Sequence, residues 1–171
     1  MHTLIYALVP SSTETDFPES PEEMALATAT YAFDTLVGVG NYSSQIFDYY
    51  TTFDDNTSRC SGPSRYGDLP MAVGLDTDKG QRMLQEAWES TVSDFKNNLQ
   101  RVRELLDELD DDEIMNNAAS SRRLLELTAR RRGPDVSLYD EHGHGITTQA
   151  DLDYILENED DLWIVPADVH Y

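Results

Sequence analysis

The stretch Thr3-Leu4-Ile5-Tyr6-Ala7-Leu8-Val9, closed by Pro10, decides how the rest of the chain is read. It is apolar and rich in residues that favour extended backbone. A proline has no N–H for a sheet ladder, so a buried strand is expected to stop at Pro10.

Outward from this strand, Ser11 to Glu19 is polar and loop-like, and Ser20-Pro21-Glu22-Glu23 opens a helix. Serine suits the N-cap, proline the first helical position, and Glu23 can close a capping box. Met24, Ala27, Tyr31 and Leu26, Phe33, Val37 supply its apolar positions, and Gly38 or Gly40 ends it. Gln45 to Phe53 reads as a second strand, with Phe47, Tyr49, Thr51 and Phe53 on one face. A polar loop, Asp54 to Gly67, leads to a short third strand, Leu69 to Val73, which Pro70 assigns to an edge. Asp76 can cap the strongest helix, whose apolar stripe runs Leu84, Trp88, Val92, Phe95, Leu99, Val102, Leu106, Leu109. Asp110 to Glu113 breaks and recaps the chain, and a further helix carries Ile114, Met115, Ala118, Leu124, Leu125 and Leu127 up to Gly133-Pro134. Val136 to Tyr139 is a fourth strand, and Glu141 to Gly145 a turn with two glycines. Thr148 to Asp151 matches a capping box before Leu152, Ile155 and Leu156, and Leu162 to Val165 is a last strand ended by Pro166.

The order is β-α-β-β-α-α-β-α-β within one domain, residues 1–171. A two-layer α/β (α+β) sandwich with a mixed or mostly antiparallel sheet of four to five strands fits best, and a ferredoxin-like plan is the nearest common pattern. The alternative is a small three-layer doubly wound sheet, for which the strands lack long runs of valine and isoleucine.

The formal charge is -21, from 33 acidic and 12 basic residues, and only Lys79 and Lys96 are lysines. Periodic apolar segments argue against disorder as its cause. Such a surface suits concentrated salt, where the screening length falls to about 3 Å at 1 M. One cysteine, Cys60 on a loop, excludes an intramolecular disulfide framework. Met1 to Pro10 lacks the basic leader of a signal peptide, and no apolar run is long enough for a membrane helix, so a cytoplasmic location is expected.

None of the common nucleotide-binding, zinc-protease or hydrolase-elbow motifs is present. The first candidate site is the turn Asp140-Glu141-His142-Gly143-His144-Gly145. Its mixture of imidazole and carboxylate suits a divalent metal such as zinc, manganese, iron or nickel, with His170 as a further ligand. An exposed polar hairpin explains the same residues and is the preferred reading. The second candidate is the end of the last strand. If the first and last strands pair antiparallel, His2 and His170 meet at one end of the sheet, and Asp168 could orient His170 as a base. Packing of the terminus is the plainer account. The third is the arginine cluster Arg122, Arg123, Arg130, Arg131 and Arg132, whose guanidinium forks could hold an anion or nucleotide. Internal pairing with carboxylates is preferred there, and nucleic acid is disfavoured because phosphate contacts weaken steeply with salt.

The phrases Phe47-Asp48-Tyr49-Tyr50, Tyr66-Gly67-Asp68-Leu69-Pro70, Leu138-Tyr139-Asp140-Glu141 and Trp163 to Tyr171 resemble those of an uncharacterised haloarchaeal protein group. The resemblance spans the chain and implies a haloarchaeal cytoplasm, with a viral or plasmid carrier possible, and no assigned activity. Without catalytic motifs, the leading functional expectation is a non-catalytic interaction or accessory protein. Its partner, or a second copy, would use the amphipathic helix over 78–110. A metal-dependent enzyme and an anion-binding module are the alternatives.

Overall fold

In the computed structural model the opening run pairs with the far end of the chain. Residues 1–10, 20–40, 45–53, 66, 69–117, 119 and 136–171 are described. In chain order they form β1 (His2–Pro10), α1 (Pro21–Leu36), β2 (Tyr49–Thr51), β3 (Val73–Gly74), α2 (Asp78–Glu108), α3 (Asp111–Asn116), β4 (Leu138–Tyr139), α4 (Gln149–Asn158) and β5 (Leu162–His170).

The sheet is mixed and mostly antiparallel, in the order β2-β5-β1-β4, with β3 also on β5. At its centre β1 and β5 pair antiparallel along their whole length, from His2 opposite His170 to Pro10 opposite Leu162. Among the described residues only β4 runs parallel to its neighbour, β1. The central trio β5, β1, β4 matches a ferredoxin-like plan, but β2 flanks β5 rather than β4.

Alternation along the strands divides the core in two. Ile5, Ala7 and Val9 join Val165, Ala167 and Val169 against α1. Tyr6 and Leu8 join Leu138, Leu162 and Ile164 against Met83, Leu84 and Ala87 of α2 and Leu152 of α4. Helices therefore cover both faces: the third layer belongs to the three-layer alternative, while the sheet keeps the antiparallel pairing of the leading one.

Local chemistry explains the elements and their departures from expectation. The Ser20–Glu23 capping box forms, and so does a second one between Asp110 and Glu113. The buried face of α1 is led by Ala25, Ala29 and Ala32 with Leu26, Phe33 and Leu36, whereas Tyr31 is exposed. Small side chains there bring the helix close to the sheet. The N-cap of α2 is Thr77, not Asp76, and its hydroxyl also donates to the Gly74 carbonyl of β3. The expected second and third strands shrink to three and two residues.

Pro166 does not end the last strand, which continues to His170. The Tyr6 N–H donates to Ser137 rather than across to β5, so Tyr6 and Pro166 face each other without a hydrogen bond. On the other flank of β5, β3 pairs at Trp163 and Ile164 and β2 at Asp168 to His170, which leaves Pro166 in the gap. A missing N–H does no damage in that place.

Candidate functional site

Antiparallel pairing sets His2 and His170 side by side on the face that α2 covers farther along the sheet. They belong to the pair type that brings side chains closest, and their rings sit 5.1 Å apart, edge to face. Two residues back along β5, Asp168 points from the same face and lies opposite Leu4 and Thr51. Its carboxylate is buried at 2 % exposure and contacts His2 Nδ1 at 2.8 Å. An ionised carboxylate only accepts hydrogen bonds, so Nδ1–H donates and a neutral ring keeps its lone pair on Nε2. The Tyr49 hydroxyl lies 3.5 Å from that Nε2, at the outer edge of hydrogen bonding. His170 is tied at both nitrogens: Asp48 lies 2.9 Å from Nδ1 and the Met1 ammonium 3.2 Å from Nε2. The Tyr49 ring stacks flat on His170, 4.9 Å between centroids.

Tyr66 closes one side, its hydroxyl donating to the His2 carbonyl at 3.3 Å. Burial, with Asp168 and Tyr171 nearby, raises its phenol above the ordinary value. Beside it opens a cleft of about 230 Å³ between β1 and α2, with Leu4, Tyr6, Tyr66, Glu86, Ser90 and Asp94 among its walls. The Tyr6 phenol is pushed up to about 12, first by burial and then by Glu86 and Tyr66.

At the opposite end of the sheet, the turn after β4 is a tight hairpin. Asp140 Oδ1 accepts from the backbone N–H groups of His142 and His144, at 2.9 and 2.7 Å. Gly143 sits at φ 75°, and a Cβ there would lie 3.0 Å from the Ala32 carbonyl. Only glycine meets both demands comfortably. His144 pairs with Asp140 at 3.1 Å, and His142 with Glu141 at 3.3 Å. The two imidazoles are 6.1 Å apart and use different carboxylates. Beside the turn lies a cleft of about 350 Å³.

A family model matches residues 1–171. The chain belongs to this family, a domain of unknown function, DUF7995. Neither the curated proteins nor the solved structures give a match. Membership in DUF7995 assigns no activity, so chemistry has to be read from the residues.

The residues singled out in the sequence fall into separate places in this DUF7995 chain. Asp140, Glu141, His142 and His144 are neighbours in the hairpin. His170 is not with them: six rungs of β1 separate its level from theirs, about 20 Å at 3.4 Å per residue. Among the described residues no three His, Cys, Asp or Glu side chains are grouped to hold a metal ion. His2, Asp168 and His170 do converge, but Asp168 orients His2, while His170 is held by Asp48. Sequence reasoning missed Asp48 and Tyr49 as members of this cluster. Their proximity depends on β2 pairing with the last residues of β5, which no local signal announces. Arg122, Arg123, Arg130, Arg131, Arg132 and Cys60 lie outside the described residues.

Proposed function

We propose that this chain carries a general acid–base site centred on His2 and Asp168, serving a small polar substrate in the adjoining cleft. The observation that carries the reading is a carboxylate at 2 % exposure aimed at an imidazole whose other nitrogen faces the Tyr49 hydroxyl. A buried ion pair is weak evidence for a role in stability, and a carboxylate–imidazole pair fixes the tautomer that a base needs. Asp168 holds Nδ1–H, His2 Nε2 takes a proton from a water or hydroxyl, and the Tyr49 phenol lies beside it. Hydrolysis of p-nitrophenyl acetate probes such a base. In a background of His142→Ala and His144→Ala, His2→Ala is expected to lower the rate about 100-fold and Asp168→Asn about tenfold, typical of a general base and its orienting group. Equal rates with and without His2, in variants whose near-ultraviolet circular dichroism shows intact packing, overturn the reading.

A second reading keeps the chain as an interaction protein in a salt-rich, haloarchaeal-type cytoplasm. It is supported by the far half of α2, where Phe95 is 50 % and Leu106 52 % exposed on one apolar stripe. Among the described residues no helix is long and apolar enough to cross a membrane. A chain that stays monomeric in molar salt and captures no partner there removes that reading.

A further inference from the structure

We infer that the groove at the Pro10–Leu162 end of the sheet binds a linear polyamine. This site is independent of the His2–Asp168 pair, which lies at the other end of β1 and β5.

Two clefts meet there, of about 350 and 500 Å³, and they share Glu159 and Leu162. The first has an apolar floor of Leu8, Ile146, Ile155 and Leu162, with Tyr154 in its wall. The second has Leu75, Leu156 and Trp163. Carboxylates rim both: Asp151 and Glu159 on the first, Asp76, Glu159 and Asp161 on the second. Asp140 and Glu141 also line the first, where His144 and His142 engage them. No lysine or arginine lines either cleft among the described residues, and Asp76, Asp151, Glu159 and Asp161 have no ion pair there.

Acidity by itself selects nothing in a chain of net charge -21. The shape and lining do. A hydrated metal ion gains nothing from an apolar floor, and no metal-holding group exists among the described residues. An anion is repelled. A chain of methylenes between ammonium groups matches an apolar trough with carboxylates spaced along its rim. Tyr154 lines the first cleft and Trp163 the second, and aromatic rings attract the same cations. Two lobes, each with its own carboxylates and a shared Glu159, call for at least two ammonium groups rather than one.

Titration of the full chain with spermidine at fixed ionic strength, followed through Trp163 fluorescence in a Trp88→Phe background, tests this. Saturable binding is expected, about tenfold weaker in Glu159→Gln and in Tyr154→Ala, the size of effect that one charge pair or cation–π contact carries. Asp107→Asn, on exposed α2, should bind like the parent, as should His2→Ala. Butylamine at equal concentration should bind far more weakly. A response that sodium or magnesium chloride reproduces at the same ionic strength, or that Asp107→Asn weakens as much as Glu159→Gln, reduces the effect to counter-ions on an acidic surface and overturns the proposal. A lysine- and arginine-rich peptide that binds this groove more tightly than spermidine overturns it too, in favour of a protein partner.

Discussion

Tyr6 shows how one side chain reports the environment of the proposed site. It sits at 7 % exposure over the cleft beside Tyr66, and its phenol is raised from 10.0 to about 12 by burial and the charges around it. A folded-state value above the unfolded one means that the protonated phenol stabilises the fold. That contribution is complete below pH 10 and is lost as pH rises towards 12. Ultraviolet titration of phenolate should show a late step near pH 12 that Tyr6→Phe removes, and the parent should lose stability to urea between pH 10 and 12. A Tyr6→Phe chain with an unchanged titration curve would contradict this account of the cleft. At this scale the sequence was informative where a residue acts on its neighbours. Ser20, Glu23, Asp110 and Glu113 cap helices as their spacing implies. It was silent where the partner is distant: Asp168 was read with His170, two residues away, but the fold gives it to His2, 166 residues away.

Helix α2 shows what an element needs beyond its own pattern. Its stripe is regular over eight apolar positions, yet of its buried residues Gly80, Met83, Leu84, Ala87 and Thr91 lie in the first half and Leu105 alone in the second. That half lies on β3, and the contact is close: a Cβ on Gly80 would stand 2.2 Å from the Gly74 carbonyl oxygen. Backbone on both sides cannot yield as a side chain end can, so Gly80→Ala has to displace the helix start. A loss of roughly 1–3 kcal/mol is expected, the range for overpacking a tight contact, and urea denaturation measures it. A stability equal to the parent's would mean that α2 can slide on the sheet, contrary to the packing described. The Thr77 hydroxyl, bonded to the Gly74 carbonyl and to the Gly80 N–H, fixes the same junction. Periodicity revealed the helix and its apolar face, but it carries no information on how far along that face the sheet extends.

At the scale of the whole molecule, the charge of -21 sets the expected response to salt. Carboxylates repel one another across the surface, and screening removes that term progressively as the Debye length shrinks from about 10 Å at 0.1 M to 3 Å at 1 M. The urea midpoint should therefore rise steeply from dilute buffer to molar potassium chloride. A midpoint that does not depend on salt would remove the argument for a salt-rich setting. The sequence by itself determined the composition, the order of strands and helices, most caps and the mixed, mostly antiparallel α/β class, because each follows from local propensity or from the spacing of apolar residues. Only the tertiary structure decided that helices cover both faces of the sheet and that β5 runs straight through Pro166. It also decided that His2, Asp48, Tyr49, Asp168 and His170 meet at one end while the hairpin histidines stand at the other. Those outcomes depend on strand order and register, and the hydrogen bonds that set them join residues far apart in the chain with no pattern in the intervening sequence.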